Sequence, residues 1–175
     1  MTPPLDATIR CIPDFPKKGI MFRDITTLLR DRAAFAGAID VFTERYRGKN
    51  IDKVVSIESR GFIFGAPLAY ELGAGFVPVR KPGKLPAATI REEYALEYGT
   101  DALEMHTDAI TPGERILILD DLLATGGTVL AACKLVERLG GKIAGLAFLV
   151  ELTSLKGRER LKNYDLFSIV KFEGE

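Results

Sequence analysis

One stretch decides the fold of this chain: Arg115-Ile116-Leu117-Ile118-Leu119-Asp120-Asp121-Leu122-Leu123-Ala124-Thr125-Gly126-Gly127-Thr128, followed directly by Val129-Leu130-Ala131-Ala132-Cys133. Four consecutive aliphatic residues predict a buried strand, the acidic pair and glycine-containing turn predict a loop, and the apolar run predicts an amphipathic helix. Ligands of open α/β sheets bind at such junctions, outside the carboxyl ends of the strands. The stretch therefore predicts both an α/β fold and the position of a site.

Each part of this junction has a chemical use. We expect Asp120 and Asp121 where the strand ends, so that their carboxylates can accept hydrogen bonds from a polyhydroxylated ligand or hold waters around a divalent cation. Residues 124–128 combine two glycines and two hydroxyls with backbone N–H groups at a helix start, which suits a phosphate. Together the two features favour a sugar phosphate. Similar turns also occur in α/β domains that bind nothing there, so a purely structural role stays open at this point.

Composition restricts the class of protein. The 175 residues are most economically one domain, and a content of 47% hydrophobic and 27% charged residues is typical of a globular protein. Lys and Arg together number 24, as do Asp and Glu, so no overall field attracts nucleic acid or an anionic membrane. Two cysteines are too few for a disulfide framework, and Cys133 falls on an apolar helix face, where we expect a buried structural thiol. No apolar run approaches the ~20 residues that cross a bilayer. Without signal-peptide features at the N-terminus, we expect a cytoplasmic protein.

The periodicity of apolar residues predicts alternating helices and strands. We expect a short helix at 5–11, an irregular loop at 12–24 and a short helix that Asp24 caps. The remaining elements are helices at 31–48, 63–72, 129–139 and 155–161, strands at 53–57, 75–79, 115–119, 143–150 and 166–170, and a β-hairpin within 89–106 with Gly99-Thr100-Asp101 between its strands. We expect Pro67 in the first turn of its helix, where proline is tolerated. This order predicts a mostly parallel sheet covered by helices on both faces.

Several residues outside the junction are candidates for binding. Arg60 follows a predicted strand and offers paired donors to a phosphate, although an exposed arginine is usually only solvated. The segment 80–86 is basic and interrupted by Pro and Gly, so it is either a solvated loop or a mobile lid that carries positive charge. Phe22 is either a core anchor or a face on which a planar base stacks. His106 is the only histidine, and one histidine does not make a zinc site or a Cys/His nucleophile pair credible.

The run 120–128 resembles the phosphoribosyl-diphosphate signature of the type I phosphoribosyltransferases, in the form found in the adenine phosphoribosyltransferase family. It lacks the Gly-Lys-Ser/Thr ending of a P-loop and the glycine spacing of a dinucleotide fingerprint. The resemblance extends from about residue 12 to about residue 172, through Phe15-Pro16, Gly19-Ile20-Met21-Phe22-Arg23-Asp24, Ser59-Arg60-Gly61-Phe62, Gly83-Lys84-Leu85-Pro86, Leu96-Glu97-Tyr98-Gly99 and Glu151-Leu152-Thr153-Ser154-Leu155-Lys156-Gly157-Arg158. Ser59 is a small departure, since many members have Ala there.

The resemblance implies a fold and a reaction. The fold is the type I phosphoribosyltransferase fold in a single domain, 1–175, with a small N-terminal hood at 1–30 and a flexible hairpin lid at 80–106. The reaction is transfer of the 5-phosphoribosyl group from phosphoribosyl diphosphate to N9 of adenine, giving AMP and diphosphate. Mg²⁺ is implied as the cofactor, held chiefly by substrate oxygens and water rather than by a protein cage. The family likeness also suggests a homodimer.

The resemblance also implies roles for particular residues. Glu97 is the candidate acid/base that manages the proton on the purine imidazole. For the phosphoribosyl group, Asp120 and Asp121 would bind the ribose hydroxyls and offset developing positive charge, and the 5-phosphate would be held by Ala124, Thr125, Gly126, Gly127 and Thr128. The diphosphate would be held by Ser59, Arg60, Gly61, Arg80, Lys81 and Lys84. Adenine would stack on Phe22 while the backbones of Met21 and Arg23 read its edge.

Three alternatives stay open. The first is a non-catalytic regulator that keeps the fold to sense phosphoribosyl diphosphate, although a neutral chain of this length has little room for a nucleic-acid-binding extension. The second is the same chemistry on another base, such as a 6-oxopurine or orotate. The third is a receiver-type domain, but that class has its acidic pair after the first strand and this chain has it late.

Overall fold

A parallel sheet with helices on both faces forms the centre of the protein. The computed structural model describes residues 4–95 and 99–174. In chain order, the elements are β1 (Arg10–Ile12), β2 (Phe22–Asp24), α1 (Thr26–Arg30), α2 (Arg32–Tyr46), β3 (Lys53–Ile57), α3 (Arg60–Leu72), β4 (Gly75–Val79), β5 (Thr89–Ala95), β6 (Thr100–His106), β7 (Arg115–Leu123), α4 (Gly127–Arg138), β8 (Lys142–Leu152), α5 (Gly157–Arg160) and β9 (Leu166–Phe172). Short 3₁₀ turns cover Leu5–Thr8 and Thr153–Leu155. Within the described ranges, no helix is both long and apolar enough to span a bilayer.

The order of the strands places the site. The central sheet runs β4-β3-β7-β8-β9, and every neighbouring pair is parallel, which confirms the predicted sheet. Strands β3 and β7 are direct neighbours, with Val54 opposite Leu117 and Ser56 opposite Leu119. Because the carboxyl ends of parallel strands meet at one edge, the segments that follow β3 and β7 are brought side by side.

Strand β7 separates two apolar cores. Leu117 and Leu119 belong to the core beneath α2 and α3, whereas Ile116 and Ile118 belong to the core beneath α4, as period-two alternation requires. After the acidic pair the alternation reverses, because Leu122 packs against the first core and Leu123 belongs to the second. The reversal falls at Asp120 and Asp121, and both of these aspartates line the same cavity.

Most helix bounds agree with the periodicity, with one correction. Asp31 caps α2, since its carboxylate accepts hydrogen bonds from the N–H groups of Ala33 and Ala34, each at 2.9 Å. Pro67 was expected in the first turn of its helix but lies well inside α3, which begins at Arg60. The carbonyl that loses its partner there is that of Ile63, whose residue is exposed, so water can satisfy it.

The N-terminal segment is more regular than expected. Residues 10–12 and 22–24 pair as an antiparallel two-stranded sheet, where the sequence predicted a helix over 5–11 and then an irregular loop. Asp24 lies two residues before α1 and accepts hydrogen bonds from the backbone N–H and the hydroxyl of Thr26, at 2.9 and 2.7 Å. It therefore caps the short helix from one position further out than predicted.

The predicted hairpin is present, but its base is part of the core. Strands β5 and β6 are antiparallel, and β6 begins at Thr100, so Thr100 and Asp101 are strand residues rather than the turn. Leu103 and Met105 of β6 are fully buried in the core beneath α4. The side chain of Glu92 on β5 also contacts α4, accepting hydrogen bonds from Lys134 at 2.9 Å and Arg138 at 3.4 Å.

Candidate functional site

A cavity of about 260 Å³ opens at the carboxyl ends of β3 and β7. Its polar walls come from the two strand exits and from the turn before α4, and Tyr94 and Leu103 of the hairpin close one side. The residues proposed from the sequence that line it are Ser59, Arg60, Lys81, Asp120, Asp121, Ala124, Thr125, Gly126 and Thr128. Residues far apart in the chain are thus brought into one cleft by the neighbouring positions of β3 and β7.

The acidic pair belongs to the strand rather than to the loop after it. Strand β7 continues through both aspartates to Leu123, whereas the sequence predicted that it would end at Leu119. Asp121 is almost fully buried and forms an ion pair with Arg60, with 2.8 Å between Nε and Oδ2. The Oδ1 atom of Asp120 accepts the N–H of Asp121 at 2.8 Å. Both carboxylates are therefore fixed by the backbone of a central strand and by one arginine.

Burial raises the pKa of both carboxyl groups. Desolvation raises the pKa of Asp120 well above its ordinary value, and the charge of Asp121 raises it further. Desolvation also raises the pKa of Asp121, although the Arg60 guanidinium opposes that shift. A ligand that donates hydroxyl hydrogen bonds to these carboxylates would stabilise their charged form, which suits a ribose diol.

The turn before α4 has the geometry of an anion site. Gly126 has a φ of +82°, a conformation in which glycine is favoured, and it lies directly before the first helical residue, Gly127. The backbone N–H groups in the first turn of α4 have no hydrogen-bond partner within the helix and point toward its N-terminus, where an anion can bind. Thr125 and Thr128 of the same turn line the cavity with their hydroxyl-bearing side chains.

A second glycine, Gly157 at the start of α5, packs directly against this turn. A Cβ atom on Gly157 would lie 2.2 Å from the carbonyl oxygen of Ala124 and 3.1 Å from the backbone nitrogen of Gly126. Only glycine therefore allows α5 to approach the turn as closely as it does. Gly157 falls within a stretch that carries the family resemblance, but its role is not apparent from the sequence, because nothing in the sequence shows which segment packs against the turn.

The segment that carries Gly157 is anchored by an ion pair between an exposed arginine and a buried glutamate. Arg158 donates two hydrogen bonds to Glu151, at 2.9 and 2.6 Å, and the hydroxyl of Ser168 donates to the same carboxylate. Glu151 is almost fully buried, and its hydrogen bonds with Arg158 lower its pKa. Since Glu151 pairs in register with Leu123 at the end of β7, this ion pair fixes α5 to the strand that leads into the turn.

Gly61 has a packing role rather than a position in the cavity wall. A Cβ atom there would lie 3.0 Å from Oδ1 of Asp120 and 3.1 Å from the carbonyl oxygen of Leu119. Gly61 thus allows the start of α3 to approach β7, and Arg60 reaches Asp121 from that position. Gly127, the other glycine outside the cavity wall, is buried at the first residue of α4.

The basic segment after β4 is only partly directed into the cavity. Lys81 lines it, and its ammonium donates hydrogen bonds to Tyr94 at 2.9 Å and to Asp101. Arg80 instead contacts Glu58 at 3.2 Å and the carbonyl oxygen of Lys84 at 3.3 Å. Neither Arg80 nor Lys84 is part of the cavity wall, so of the three cations predicted in this segment only Lys81 lines the cavity.

Glu58 is a second residue that sequence reasoning missed. It lies at the exit of β3, lines the cavity, and accepts the backbone N–H of Lys81 at 2.5 Å as well as the side chain of Arg80. Glu58 therefore holds the start of the basic segment against the cavity. Its signal in the sequence was a carboxylate directly before Ser59 and Arg60, which without a structure could equally be solvated.

The predicted base-binding residues lie apart from this cavity wall. Phe22 is half-buried on β2 and meets Phe15 edge to face, with 5.1 Å between ring centroids. The guanidinium of Arg23 lies 4.0 Å from the ring centroid of Phe172 and donates to the sulfur of Cys11 at 2.6 Å. Met21, Phe22 and Arg23 therefore belong to the N-terminal hairpin, and none of them lines the cavity.

Two remaining sequence candidates have different outcomes. Glu97 lies outside the described residues, so its role stays a prediction. Cys133 is fully buried on α4, where burial raises the pKa of its thiol to about 12, as expected of a structural cysteine. Among the described residues, no group of three or more His, Cys, Asp or Glu side chains is arranged to hold a metal ion.

Comparison with known proteins identifies the family. The family model described as "Phosphoribosyl transferase domain" matches residues 24–175. An adenine phosphoribosyltransferase of Acidobacterium capsulatum is 64% identical over 169 residues, which cover 97% of this chain and 93% of that protein. The crystal structure of adenine phosphoribosyltransferase from Thermoanaerobacter pseudethanolicus superposes with a TM-score of 0.93 at 57% identity, covering 96% of this chain and 98% of that one.

A third similar protein shows ligands. The adenine phosphoribosyltransferase of Saccharomyces cerevisiae, solved in complex with an imino-altritol bisphosphate and adenine, has a TM-score of 0.90 at 42% identity and covers 95% of this chain and 96% of its own. The matched length, the parallel sheet and the cleft at the carboxyl ends of its strands all support the same assignment to a family. The chain belongs to the type I phosphoribosyltransferases, within the family of adenine phosphoribosyltransferases.

Proposed function

We propose that this protein transfers the 5-phosphoribosyl group from phosphoribosyl diphosphate to N9 of adenine, with release of AMP and diphosphate. The observation that carries the proposal is one cavity in which Asp120, Asp121, Arg60 and Lys81 meet the turn before α4. Diol-binding carboxylates, cations and an anion-binding turn are the groups that a ribose carrying a phosphate and a diphosphate requires.

The 5-phosphate and the ribose occupy the side of the cavity formed by β7 and α4. Ala124, Thr125, Gly126, Gly127 and Thr128 bind the phosphate through backbone N–H groups and hydroxyls. Asp120 and Asp121 accept hydrogen bonds from the ribose hydroxyls. As the bond at C1 breaks, positive charge develops on the sugar ring, and the fixed carboxylates stabilise it without reorganising.

The diphosphate leaves on the side formed by β3 and the basic segment. Arg60 and Lys81 supply cationic donors there, and Ser59 with the backbone at Gly61 completes the exit of β3. Arg80 and Lys84 form an outer basic set that does not reach the cavity in this conformation. Catalysis consists mainly of orienting two substrates and neutralising the leaving group, so no protein nucleophile is needed.

The donor set fits Mg²⁺ that is held mainly by the substrate. The cavity wall carries Glu58 as well as the two aspartates, but among the described residues no three His, Cys, Asp or Glu side chains are grouped so as to hold a metal ion. The ion would be held chiefly by substrate oxygens and water, and Asp120 and Asp121 are the protein carboxylates that could hold its waters. When bound, Mg²⁺ neutralises charge on the leaving diphosphate.

Adenine would bind beneath the N-terminal hairpin. The similar yeast enzyme was solved with adenine, and we propose that Phe22 stacks on the base while Met21 and Arg23 read its edge through their backbones. Phe22 is only half-buried, so part of its side chain is available for a ligand. Glu97 would manage the proton of the purine imidazole.

The remaining proposals concern the setting in which the enzyme works. We propose a homodimer, supported by the family and by exposed apolar side chains on one face of α3, where Ile63 and Tyr70 are 38% and 84% exposed. Sedimentation velocity that gave a monomer at micromolar concentration would contradict it. We also propose a cytoplasmic location, supported by free cysteines that form no disulfide in the described structure.

The test is a comparison of bases. The protein is supplied with phosphoribosyl diphosphate and Mg²⁺ together with adenine, hypoxanthine, guanine or orotate in turn, and diphosphate release is measured. Turnover with adenine alone supports the proposal, and turnover only with another base would transfer the protein to that specificity. Binding of phosphoribosyl diphosphate without turnover would favour the sensing regulator, and the variant Asp120→Asn/Asp121→Asn serves as the control for background hydrolysis.

A further inference from the structure

Lys81 connects the cavity to the hairpin. Its backbone N–H is held by Glu58 at 2.5 Å, and its ammonium lies between the oxygen of Tyr94, at 2.9 Å, and the carboxylate of Asp101. Lys81 and Tyr94 both line the cavity. A flexible lysine side chain is thus held at both ends beside the place where the diphosphate is proposed to bind.

The ammonium keeps one donor for a ligand. A lysine ammonium has three N–H donors, and within the part of the chain that the structure describes two of them go to Tyr94 and Asp101. Desolvation lowers the pKa of Lys81, but its hydrogen bonds with Asp101 and Tyr94 outweigh this and raise it. The group therefore stays a cation beside the cavity, with its third donor available.

Tyr94 and Asp101 hold the ammonium from fixed positions on the hairpin. Tyr94 and Asp101 are directly opposite each other in the register of β5 and β6. The other carboxylate oxygen of Asp101 accepts the N–H of Ala102 at 2.8 Å, which fixes its orientation. The next residue, Leu103, is fully buried in the core, so this part of the hairpin is anchored.

We propose that Asp101 is a positioning residue for the leaving group: it holds the Lys81 ammonium in place to receive the diphosphate. This rests on the proposed function, in which a diphosphate departs at this side of the cavity. A carboxylate near a polyanion is unfavourable unless a cation lies between them, and the Lys81 ammonium occupies that place. Fixing the lysine in advance removes the entropy that binding would otherwise take from its long side chain.

A double-mutant cycle tests the proposal. The affinity for Mg²⁺-diphosphate is measured by calorimetry on the wild type, Asp101→Asn, Lys81→Met and the double variant. Asparagine keeps the oxygen that accepts the Ala102 N–H and loses only the charge toward Lys81. We expect Lys81→Met to weaken binding about ten-fold and Asp101→Asn about four-fold. The double variant should bind as Lys81→Met does, since Asp101 acts only through Lys81.

The possible results distinguish a positioning role of Asp101 from a merely structural one. An Asp101→Asn variant that binds as tightly as the wild type, or more tightly, overturns the proposal, as does a four-fold loss that persists in the Lys81→Met background. Glu93→Gln is the matched control, because Glu93 is an exposed carboxylate of the same hairpin that pairs with Arg91 and should leave affinity unchanged. Melting temperatures of all variants report any loss of folding.

Failure of this inference is distinct from failure of the proposed function. The cycle measures diphosphate binding and needs no acceptor base, so it gives a result even if adenine is not the substrate. Turnover of the wild type with adenine, combined with an additive cycle, would retain the function and reject the role of Asp101. Absence of diphosphate binding by the wild type would reject both.

Discussion

The substitution Gly157→Ala tests whether the C-terminal segment positions the phosphate-binding turn. The added Cβ would lie 2.2 Å from the carbonyl oxygen of Ala124, whereas a close carbon–oxygen contact is about 3.3 Å. The turn must therefore shift by roughly 1 Å, because the oxygen belongs to the backbone of the turn and the Cβ is fixed to the backbone of α5. Overpacking of this kind costs about 1–3 kcal/mol of stability. A misplacement of about 1 Å at a reacting centre lowers the rate about 100-fold.

The assay is kcat/KM for phosphoribosyl diphosphate at saturating adenine, with the melting temperature measured on the same samples. Gly61→Ala provides a graded comparison, since its Cβ would lie 3.0 Å from Asp120 Oδ1 and needs a displacement of only a few tenths of an ångström. We expect a loss of about five-fold there. Gly75→Ala is the matched control, because the nearest atom to its Cβ is in the flexible side chain of Lys53, at 3.3 Å.

The order of kcat/KM among Gly157→Ala, Gly61→Ala and Gly75→Ala tests whether Gly157 positions the turn. If Gly157→Ala retains kcat/KM within two-fold of the wild type, the turn accommodates the contact and Gly157 does not position it. If Gly75→Ala loses as much activity as Gly157→Ala, the effect reflects glycine substitution in general. A loss of stability in Gly157→Ala without a loss of kcat/KM would also refute the link between α5 and the phosphate.

Three further predictions concern Glu58, Asp24 and Glu97. Glu58→Gln should raise KM for phosphoribosyl diphosphate about five-fold, because charge-assisted bonds that hold Lys81 are weakened; an unchanged KM would show that the basic segment holds its position without Glu58. The hydrogen bonds of Thr26 and then of Arg10 lower the pKa of Asp24 to about 2, so Asp24 contributes stability above its unfolded pKa of 3.8, and this is lost as the pH falls through about 2. Urea midpoints at pH 6 and pH 2.5 should therefore differ less for Asp24→Asn than for the wild type, and equal differences would contradict this. Glu97→Ala should lower kcat and leave the affinity for phosphoribosyl diphosphate nearly intact, and an equal loss of both would make Glu97 structural.

The sheet was predictable because its signal is local. Runs such as Lys53–Ile57 are apolar enough to be strands buried on both faces, and the helix patterns between them leave a parallel sheet as the solution. The phosphate turn was predictable for the same reason, since glycine, hydroxyls and a helix start all lie within five residues. Bounds failed where tertiary contacts decide them, as at Asp120 and Asp121, which stay in β7 because β8 continues alongside them.

The residues that the sequence did not reveal act across long separations. Gly157 meets the turn from another segment, and Asp101 meets Lys81 because the hairpin folds over the exit of β4. No local pattern distinguishes these residues from a solvated carboxylate or an ordinary turn glycine. Glu58 is intermediate, since its position beside Arg60 is visible in the sequence but its partner, the backbone of Lys81, is not.

The charges that line the cavity explain why a cation should accompany the substrate. Among the described lining residues, the acidic side chains are Glu58, Asp120 and Asp121, and the basic ones are Arg60 and Lys81. The wall is therefore not positive overall, although the proposed ligand carries a phosphate and a diphosphate. Arginine and lysine fix the position of the leaving group, and burial is the main cause of the raised pKa of both aspartates. The remaining positive charge must arrive with the substrate, so diphosphate affinity should depend steeply on Mg²⁺ even though the protein offers it no complete site among the described residues.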